Sequence, residues 1–335
     1  MTLRRFLALL GAILGFALYF APPPEGVSEG VMQVAGVVAV TVALWATAVV
    51  PEYFTAILFF FFAVTLTGLT PKVVFSGFHS AAAWMIFGGL IIGVAVQSTG
   101  LGARMARVLL DRFGRSYLGL LFGTVTVAAL AAFVLPTNTG RVLVLVPIFM
   151  SLADRLGFDE GSNGRTALAL AVGAGTLYPG LAILPSAVPN LVLMSAAEST
   201  YGIAPTYGRY FLLHFPVIGL VSIIALPLIL CALFPDIPRH RASIAKPGSM
   251  NLDERKLVLL LFAALALWAS NFSHGISPAW IALGAGLLCL VPKIGVLPPS
   301  AIVNKINLAP WFFIAGVVSM SAAVSASGLG DLVGR

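Results

Sequence analysis

The feature that most constrains this chain is a succession of long apolar runs that carry almost no charge. Of its 335 residues, 59% are hydrophobic and only 9% are charged. Backbone groups in a hydrocarbon layer must bond within the protein, so each run is predicted to be helical. The predicted runs are 6–21, 31–50, 54–67, 82–99, 118–156, 166–196, 210–234, 257–270, 279–291 and 310–325. We therefore predict an all-α polytopic membrane protein surrounded by the lipid bilayer, and we exclude a soluble domain.

The placement of basic residues predicts the orientation. With the N-terminus inside and 118–156 counted as no crossing, 15 of the 19 lysines and arginines fall in inside segments and three fall outside. The N-terminus is therefore predicted to be cytoplasmic, in a bacterial-type inner membrane. The net charge of +7 has this origin and does not indicate nucleic-acid binding. Cys231 and Cys289 lie in apolar runs and indicate neither a disulfide nor a metal site.

The run 118–156 is split by a short polar tip, 136–141 (PTNTGR). Neither arm, 118–135 or 142–153, carries a charge, and the second arm has only 12 residues. Such an arm reaches about 18 Å, against a hydrocarbon core of about 30 Å. We therefore predict a re-entrant hairpin whose tip lies at depth and lines a cavity or is buried in protein. The alternative is a pair of ordinary spans joined by an external turn.

The tip contains groups that can hold an anion. Its hydroxyl and amide side chains lie beside the free N–H groups expected where the second arm begins. Arg141, the last residue of the tip, is a charge inside an apolar hairpin, which is expensive unless it is paired. Two interpretations stay open: Arg141 holds one end of a dianion through a bidentate contact, or it pairs structurally with a carbonyl or carboxylate.

A second interruption lies in the run 166–196. Its segment 178–190 (YPGLAILPSAVPN) contains three prolines and a glycine, which cannot stand in one unbroken helix. We predict a helix that is broken near its middle, with freed carbonyl and N–H groups. A broken helix beside a re-entrant tip is a recurrent ion site in transporters. The alternative is a proline kink that serves packing.

Segment 102–116, directly before the hairpin, alternates arginines with apolar residues. This pattern predicts a basic amphipathic helix on the cytoplasmic surface. Such a helix is either a solvated linker or has a mechanical role.

An internal repeat organises the chain. The tetrapeptide LWAT at 44–47 recurs as LWAS at 267–270, and Trp84 recurs as Trp311 at nearly the same offset. An odd number of predicted crossings separates the copies, so the second copy is inverted, as in many secondary transporters. The predicted organisation is an N-terminal span and external loop at 1–30, a first repeat at 31–234, a cytoplasmic linker at 235–256 and a partial second repeat at 257–335.

The internal repeat also predicts which part of the second copy this chain contains. Its offset places a second hairpin tip at roughly 363–366, after the last residue of the chain. We therefore expect a fragment or a truncated carrier that holds one half of a two-sided site and lacks transport by itself.

These features resemble the divalent anion:sodium symporter (DASS) family from Trp45 onward. The resemblance rests on 45–51, on 87–101, on the tip 137–139 (TNT) and on 189–190 (PN) after the broken helix. It implies an inverted-repeat secondary transporter of small divalent anions: dicarboxylates, tricarboxylates or sulfate. It further implies cation coupling, elevator-type alternating access, a homodimer, and no cofactor besides a possible sodium ion.

The resemblance also assigns roles to individual residues. In addition to Arg141, the residues predicted to contact the substrate are Thr137, Asn138, Thr139, Pro189 and Asn190. The residues that it places at a sodium ion are Thr137, Asn138 and Ser186 with its backbone.

Two departures from the family pattern remove ligands expected around the first sodium ion. Segment 186–190 reads SAVPN where the family usually has Gly-Thr-Pro-Pro-Asn, and Phe133 stands where a serine is frequent. A sodium/proton antiporter, with Glu52 as a proton relay, and a non-transporting fragment are therefore kept as alternatives. The hydrolase pattern G-x-S-x-G at 26–30 follows no predicted strand, and we predict no enzyme.

Overall fold

The computed structural model describes residues 2–105, 108, 116–133, 135, 138–203, 206–239 and 248–333. Throughout these residues the regular secondary structure is helical. The main helices are α1 (Leu3–Phe20), α2 (Glu29–Thr47), α3 (Glu52–Leu66), α4 (Ala81–Thr99), α5 (Tyr117–Ala131), α6 (Asn138–Leu156), α7 (Asn163–Leu181), α8 (Val188–Tyr201), α9 (Tyr207–Leu233), α10 (Leu252–Ala269), α11 (Pro278–Leu290) and α12 (Ala309–Ser327). The short helical segments are Pro71–Val74, Ser76–His79, Leu184–Ser186, Asn271–His274, Ala301–Asn304 and Leu329–Val333. Helix α9 contains a π-helical turn at Phe215–Gly219.

The helices lie where the apolar runs predict them. Within the described residues, five helices are long and apolar enough to cross a membrane, namely α1, α2, α4, α9 and α12. Helices α3, α5 and α11 are apolar but shorter. Boundaries differ where a helix extends into polar residues, as in α10, which begins five residues before its predicted start. There Asn251 and Glu254 form a reciprocal capping box that satisfies the first free N–H groups. The predicted amphipathic helix 102–116 lies largely outside the described residues.

The chain divides into two compact units. The first contains Met1–Trp84, Val192–Ala204 and Asn307–Arg335. In it α1 packs on α2, and α3 packs on both α2 and α12. Helices in lipid gain little from hydrophobic burial against one another, so small residues at their contacts matter. A Cβ on Gly36 would lie 2.6 Å from the Gly15 carbonyl oxygen, and one on Gly316 would lie 2.5 Å from the Cβ of Ala56.

The second unit contains Met85–Leu191 and Pro205–Ile306. Helices α5, α6 and α9 pack around α7, and α10 packs on α11. Near one end of this unit, the Arg104 guanidinium pairs with Glu254 at 2.9 Å and donates to the carbonyls of Gly248 and Ser249. The predicted hairpin and broken helix therefore lie in one unit, apart from the C-terminal part of α8.

The second arm of the hairpin differs from its prediction. The sequence predicts an arm at 142–153, whereas α6 spans Asn138–Leu156 and has 19 residues. A helix of that length reaches about 28 Å, so arm length alone gives no ground for a re-entrant hairpin. The prediction ends the arm at Arg141 because of its charge. Carbonyl groups around the guanidinium let this arginine stand in the first turn of the helix instead.

The two copies of the internal repeat make the same local contacts. The Trp45 indole donates to the carbonyl of Glu52, in the first turn of the next helix, at 3.0 Å. Its counterpart Trp268 donates to the carbonyl of Pro278, again in the first turn of the next helix, at 3.0 Å. The last residue of each tetrapeptide bonds its hydroxyl to the carbonyl four residues earlier, at 2.7 and 2.8 Å. The copies therefore share a helix–turn–helix structure as well as a sequence.

Candidate functional site: the hairpin tip and the broken helix

The run 166–196, which is predicted to be a broken helix, is interrupted in the structure. Helix α7 ends at Leu181, a 3₁₀ turn follows at Leu184–Ser186, and α8 begins at Val188. Pro185 lies four residues after Leu181 and has no N–H to offer to the Leu181 carbonyl. The break thus leaves carbonyl groups without their helical partners in a buried region.

Two polar side chains satisfy these carbonyls. The Asn190 amide donates to the carbonyls of Gly180 at 3.2 Å and Ile183 at 2.9 Å. The hydroxyl of Tyr210, on α9, donates to the Leu181 carbonyl at 2.8 Å. The family resemblance assigns Asn190 to the substrate, whereas its amide here holds the break in place. The sequence does not single out Tyr210, because a single tyrosine in an apolar run gives no signal.

Arg141 connects the tip to the break. It is fully buried. Its Nη1 donates to the carbonyls of Leu135 at 2.6 Å and Ser186 at 2.8 Å, and to the Ser186 Oγ at 2.9 Å. Its Nη2 donates to the carbonyl of Thr176, on α7, at 3.0 Å. One guanidinium therefore joins the end of the first arm, the middle of α7 and the 3₁₀ turn of the break.

The charge of Arg141 has no opposite charge beside it in the part of the chain that the structure describes. Among the described residues, no carboxylate lies within 4.0 Å of the guanidinium, and its Nε has no hydrogen-bond partner. The four acceptors are neutral oxygens that satisfy hydrogen bonds without cancelling the charge. A buried, uncompensated cation is costly, which favours an anion as its natural complement.

Gly180 makes this arrangement possible. A Cβ at this position would lie 2.7 Å from Nη2 of Arg141 and 2.8 Å from Oγ of Ser186. Any larger residue would push the guanidinium away from the break. The sequence singles out this glycine only as a helix breaker, whereas the structure uses it for close approach.

Asn138, the first residue of α6, has a second polar atom that is unpartnered among the described residues, an acceptor that does not itself bond to an anion. Its side-chain oxygen is buried and has no hydrogen-bond partner in the described part of the chain. The N-terminal turn of α6 adds the positive end of a helix dipole. Of the remaining predicted tip residues, Thr137 and the Thr139 side chain lie outside what the structure describes.

The structure brings together some of the predicted residues and separates others. Arg141 and Ser186 are in direct contact, and Asn190 reaches the same break through Gly180. Pro189 lies on an exposed part of the first turn of α8. Phe133 packs beside the aromatic rings of α9 and presents no oxygen to the tip.

Comparison with known families identifies the family of the chain. A model of the sodium:sulfate symporter transmembrane region matches residues 3–335. The chain therefore belongs to this family, which comprises membrane transporters and not enzymes.

Curated relatives carry transporter names. A malate transporter described as putative, YflS of Bacillus subtilis (strain 168), is 27% identical over 299 residues, covering 84% of this chain and 62% of the relative. The chloroplastic dicarboxylate transporter 1 of Spinacia oleracea is 26% identical over 338 residues, covering 91% of this chain and 59% of the relative. The L-tartrate/succinate antiporter of Escherichia coli (strain K12) is 22% identical over 277 residues, covering 78% of this chain and 55% of the relative. The chain thus spans about 55–62% of the length of these three proteins.

Proposed function

We propose that this protein is a secondary active transporter of small divalent anions, with dicarboxylates as the preferred class. The observation that carries the proposal is the buried guanidinium of Arg141, which has neutral oxygens around it and no described carboxylate within 4.0 Å. An incoming carboxylate or sulfate neutralises this charge.

The geometry of Arg141 suits an anion as its ligand. Its Nη1 is fully used by three protein oxygens, whereas its Nε–H is buried and has no hydrogen-bond partner among the described residues. An arginine whose terminal nitrogens are bonded to the protein can still donate its Nε–H to an oxyanion, in a charge-assisted hydrogen bond. Arg141 itself stands in the N-terminal turn of α6, where the helix dipole favours the same charge sign. One end of a dianion is therefore proposed to bind here.

The choice of dicarboxylate rests on the relatives. Two of their names specify malate and L-tartrate with succinate, and the third specifies dicarboxylates in general. The family description specifies sulfate. All of these are small dianions, so the proposed class covers them, and citrate is its largest proposed member.

Alternating access of the elevator type is proposed from the internal repeat. The matching contacts of Trp45 and Trp268 support two structurally related halves. A homodimer rests on the family resemblance, and a cytoplasmic N-terminus in an inner membrane rests on the distribution of basic residues.

The alternative of a sodium/proton antiporter gains no support from the structure. Glu52 is exposed in the first turn of α3, which is the position of a solvated helix-end residue that favours the helix dipole.

Calorimetry with the purified chain tests the proposal. Succinate, malate, citrate and sulfate are titrated, with propionate as a monovalent comparison. We expect at least one dianion to bind about tenfold or more tightly than propionate, because one charge of the ligand neutralises Arg141 and the second finds other donors. Equal affinity for propionate, or no dianion binding, would contradict the proposed function.

The same titration tests the tip. Asn138→Ala is expected to weaken dianion binding by about 10- to 100-fold, because the proposed donor to the anion, the side-chain amide N–H group of Asn138, is lost. Asn163→Ala is the matched control, since Asn163 is also the first residue of a helix but is exposed. Its affinity is expected to stay unchanged.

A further inference from the structure

We propose that Arg141 takes the place of a sodium ion at the tip, so that this site holds its anion without sodium. This inference rests on the proposed function, and it concerns the ion dependence of the same site. It goes against the cation coupling that the family resemblance implies.

The oxygens around Arg141 are those that a hard cation would use. Carbonyl and hydroxyl oxygens are the usual ligands of such ions. Here Leu135, Thr176 and Ser186 supply three carbonyl oxygens and one hydroxyl from three separate segments, all within 3.0 Å of the guanidinium nitrogens. The guanidinium therefore occupies the centre of a cation-binding arrangement that belongs to the protein itself.

Ser186 shows the conflict with sodium directly. Both of its oxygens, the carbonyl and Oγ, accept from Nη1 of Arg141. A sodium ion bound to either oxygen would stand beside a guanidinium in a buried region, where repulsion between like charges is strong. One of the three residues that the family resemblance assigns to sodium, Ser186, is thus already used by a cationic side chain.

Phe133 removes a further ligand. Its ring lies 5.9 Å from Phe211 and 6.2 Å from Phe215, centroid to centroid, within an apolar cluster. Asn138 retains one open side-chain oxygen, which falls far short of the several ligands that a cation needs. The described ligands therefore do not fit a sodium ion at this tip.

The functional consequence is a site whose positive charge is permanent. In a symporter the ion brings the charge that attracts the anion, and its gradient drives transport. A charge fixed in the protein attracts the anion in sodium-free medium as well. Exchange of one dianion for another then becomes the electrically balanced mode of transport.

Thermal unfolding of the chain tests the inference without any anion. Midpoints are measured in sodium chloride and in choline chloride at equal ionic strength, over a series of concentrations. We expect identical midpoints, since a ligand stabilises only a state that binds it. A saturable rise in sodium chloride would overturn the inference, whether or not a dianion binds.

Succinate affinity in the same two salts provides the second test. We expect dissociation constants that agree within about twofold, and a loss of about tenfold or more in choline would overturn the inference. If succinate binds in neither salt, the proposed function fails, and the unfolding midpoints still decide the sodium question.

Discussion

Arg141 and Arg104 both donate hydrogen bonds to backbone carbonyl groups, but they differ in whether a carboxylate compensates their charge. Each guanidinium donates to backbone carbonyl groups that lie far from it along the chain. Arg104 also pairs with the carboxylate of Glu254, so its charge is compensated. Arg141 has neutral acceptors and no described carboxylate within 4.0 Å. The first arrangement is a closed structural link, whereas the second retains a charge that a ligand can neutralise.

Replacing each of the two arginines in turn is expected to give the largest difference in dianion affinity. Arg141→Met should weaken dianion binding by on the order of a hundredfold or more, because a buried charge partner of the ligand is lost. Arg104→Met should leave binding unchanged, since Arg104 lies in the structural link. Calorimetry on both variants, with circular dichroism to verify folding, makes the measurement. Equal losses of affinity would refute the distinction.

Giving Arg141 an internal partner is expected to close its site. Ser186→Asp places a carboxylate where Oγ accepts from Nη1 at 2.9 Å. The ligand then competes with a built-in anion, and we expect its affinity to fall about tenfold or more below that of Ser186→Asn, which has similar size and no charge. If the two variants bind equally, the charge of Arg141 does not select the ligand.

Displacing the Arg141 guanidinium sterically is expected to have an intermediate effect. In Gly180→Ala the new methyl group would lie 2.7 Å from Nη2 and must push it aside. We expect dianion affinity to fall about tenfold, as one charge-assisted hydrogen bond is weakened. Gly173→Ala, on the same helix and with nothing within 4 Å of the added carbon, is the matched control. An equal effect in both variants would point to a general change in α7.

The smallest effect on binding is expected at the structural link. Glu254→Gln removes the opposing charge, and its single side-chain oxygen can accept from either Arg104 Nε or the Asn251 N–H, but not from both. Arg104 then resembles Arg141, and the free energy of unfolding should fall by about 1–3 kcal/mol, less than for a deeply buried pair because Arg104 is partly exposed. Denaturant unfolding measures this loss, and calorimetry should show unchanged dianion affinity. A change in affinity would mean that the link reaches the site.

The sequence predicts the helices and the break because these depend on local patterns. Apolar runs and three closely spaced prolines are sufficient to place α7, the interruption and α8. The start of α6 is predicted four residues too late, because the pattern treats Arg141 as the end of an apolar arm. Its acceptors lie up to 45 residues away along the chain, so no local rule reveals that the charge is accommodated.

The site is predictable only in part for the same reason. The tip and Ser186 can be found from polar residues in apolar surroundings. The contacts that hold the break and position the guanidinium are tertiary, such as Tyr210 with Leu181 and Gly180 with Arg141. The sequence therefore identifies Arg141 as important, but leaves open whether it pairs with a ligand or with the protein.

A structure of the chain with bromosuccinate bound tests the central claim most directly, since the bromine atom locates the ligand by its anomalous signal. The account predicts a carboxylate of the ligand about 3 Å from Nε of Arg141, with Nη1 still bonded to Ser186. A protein carboxylate paired with Arg141, and the ligand bound elsewhere, would contradict it.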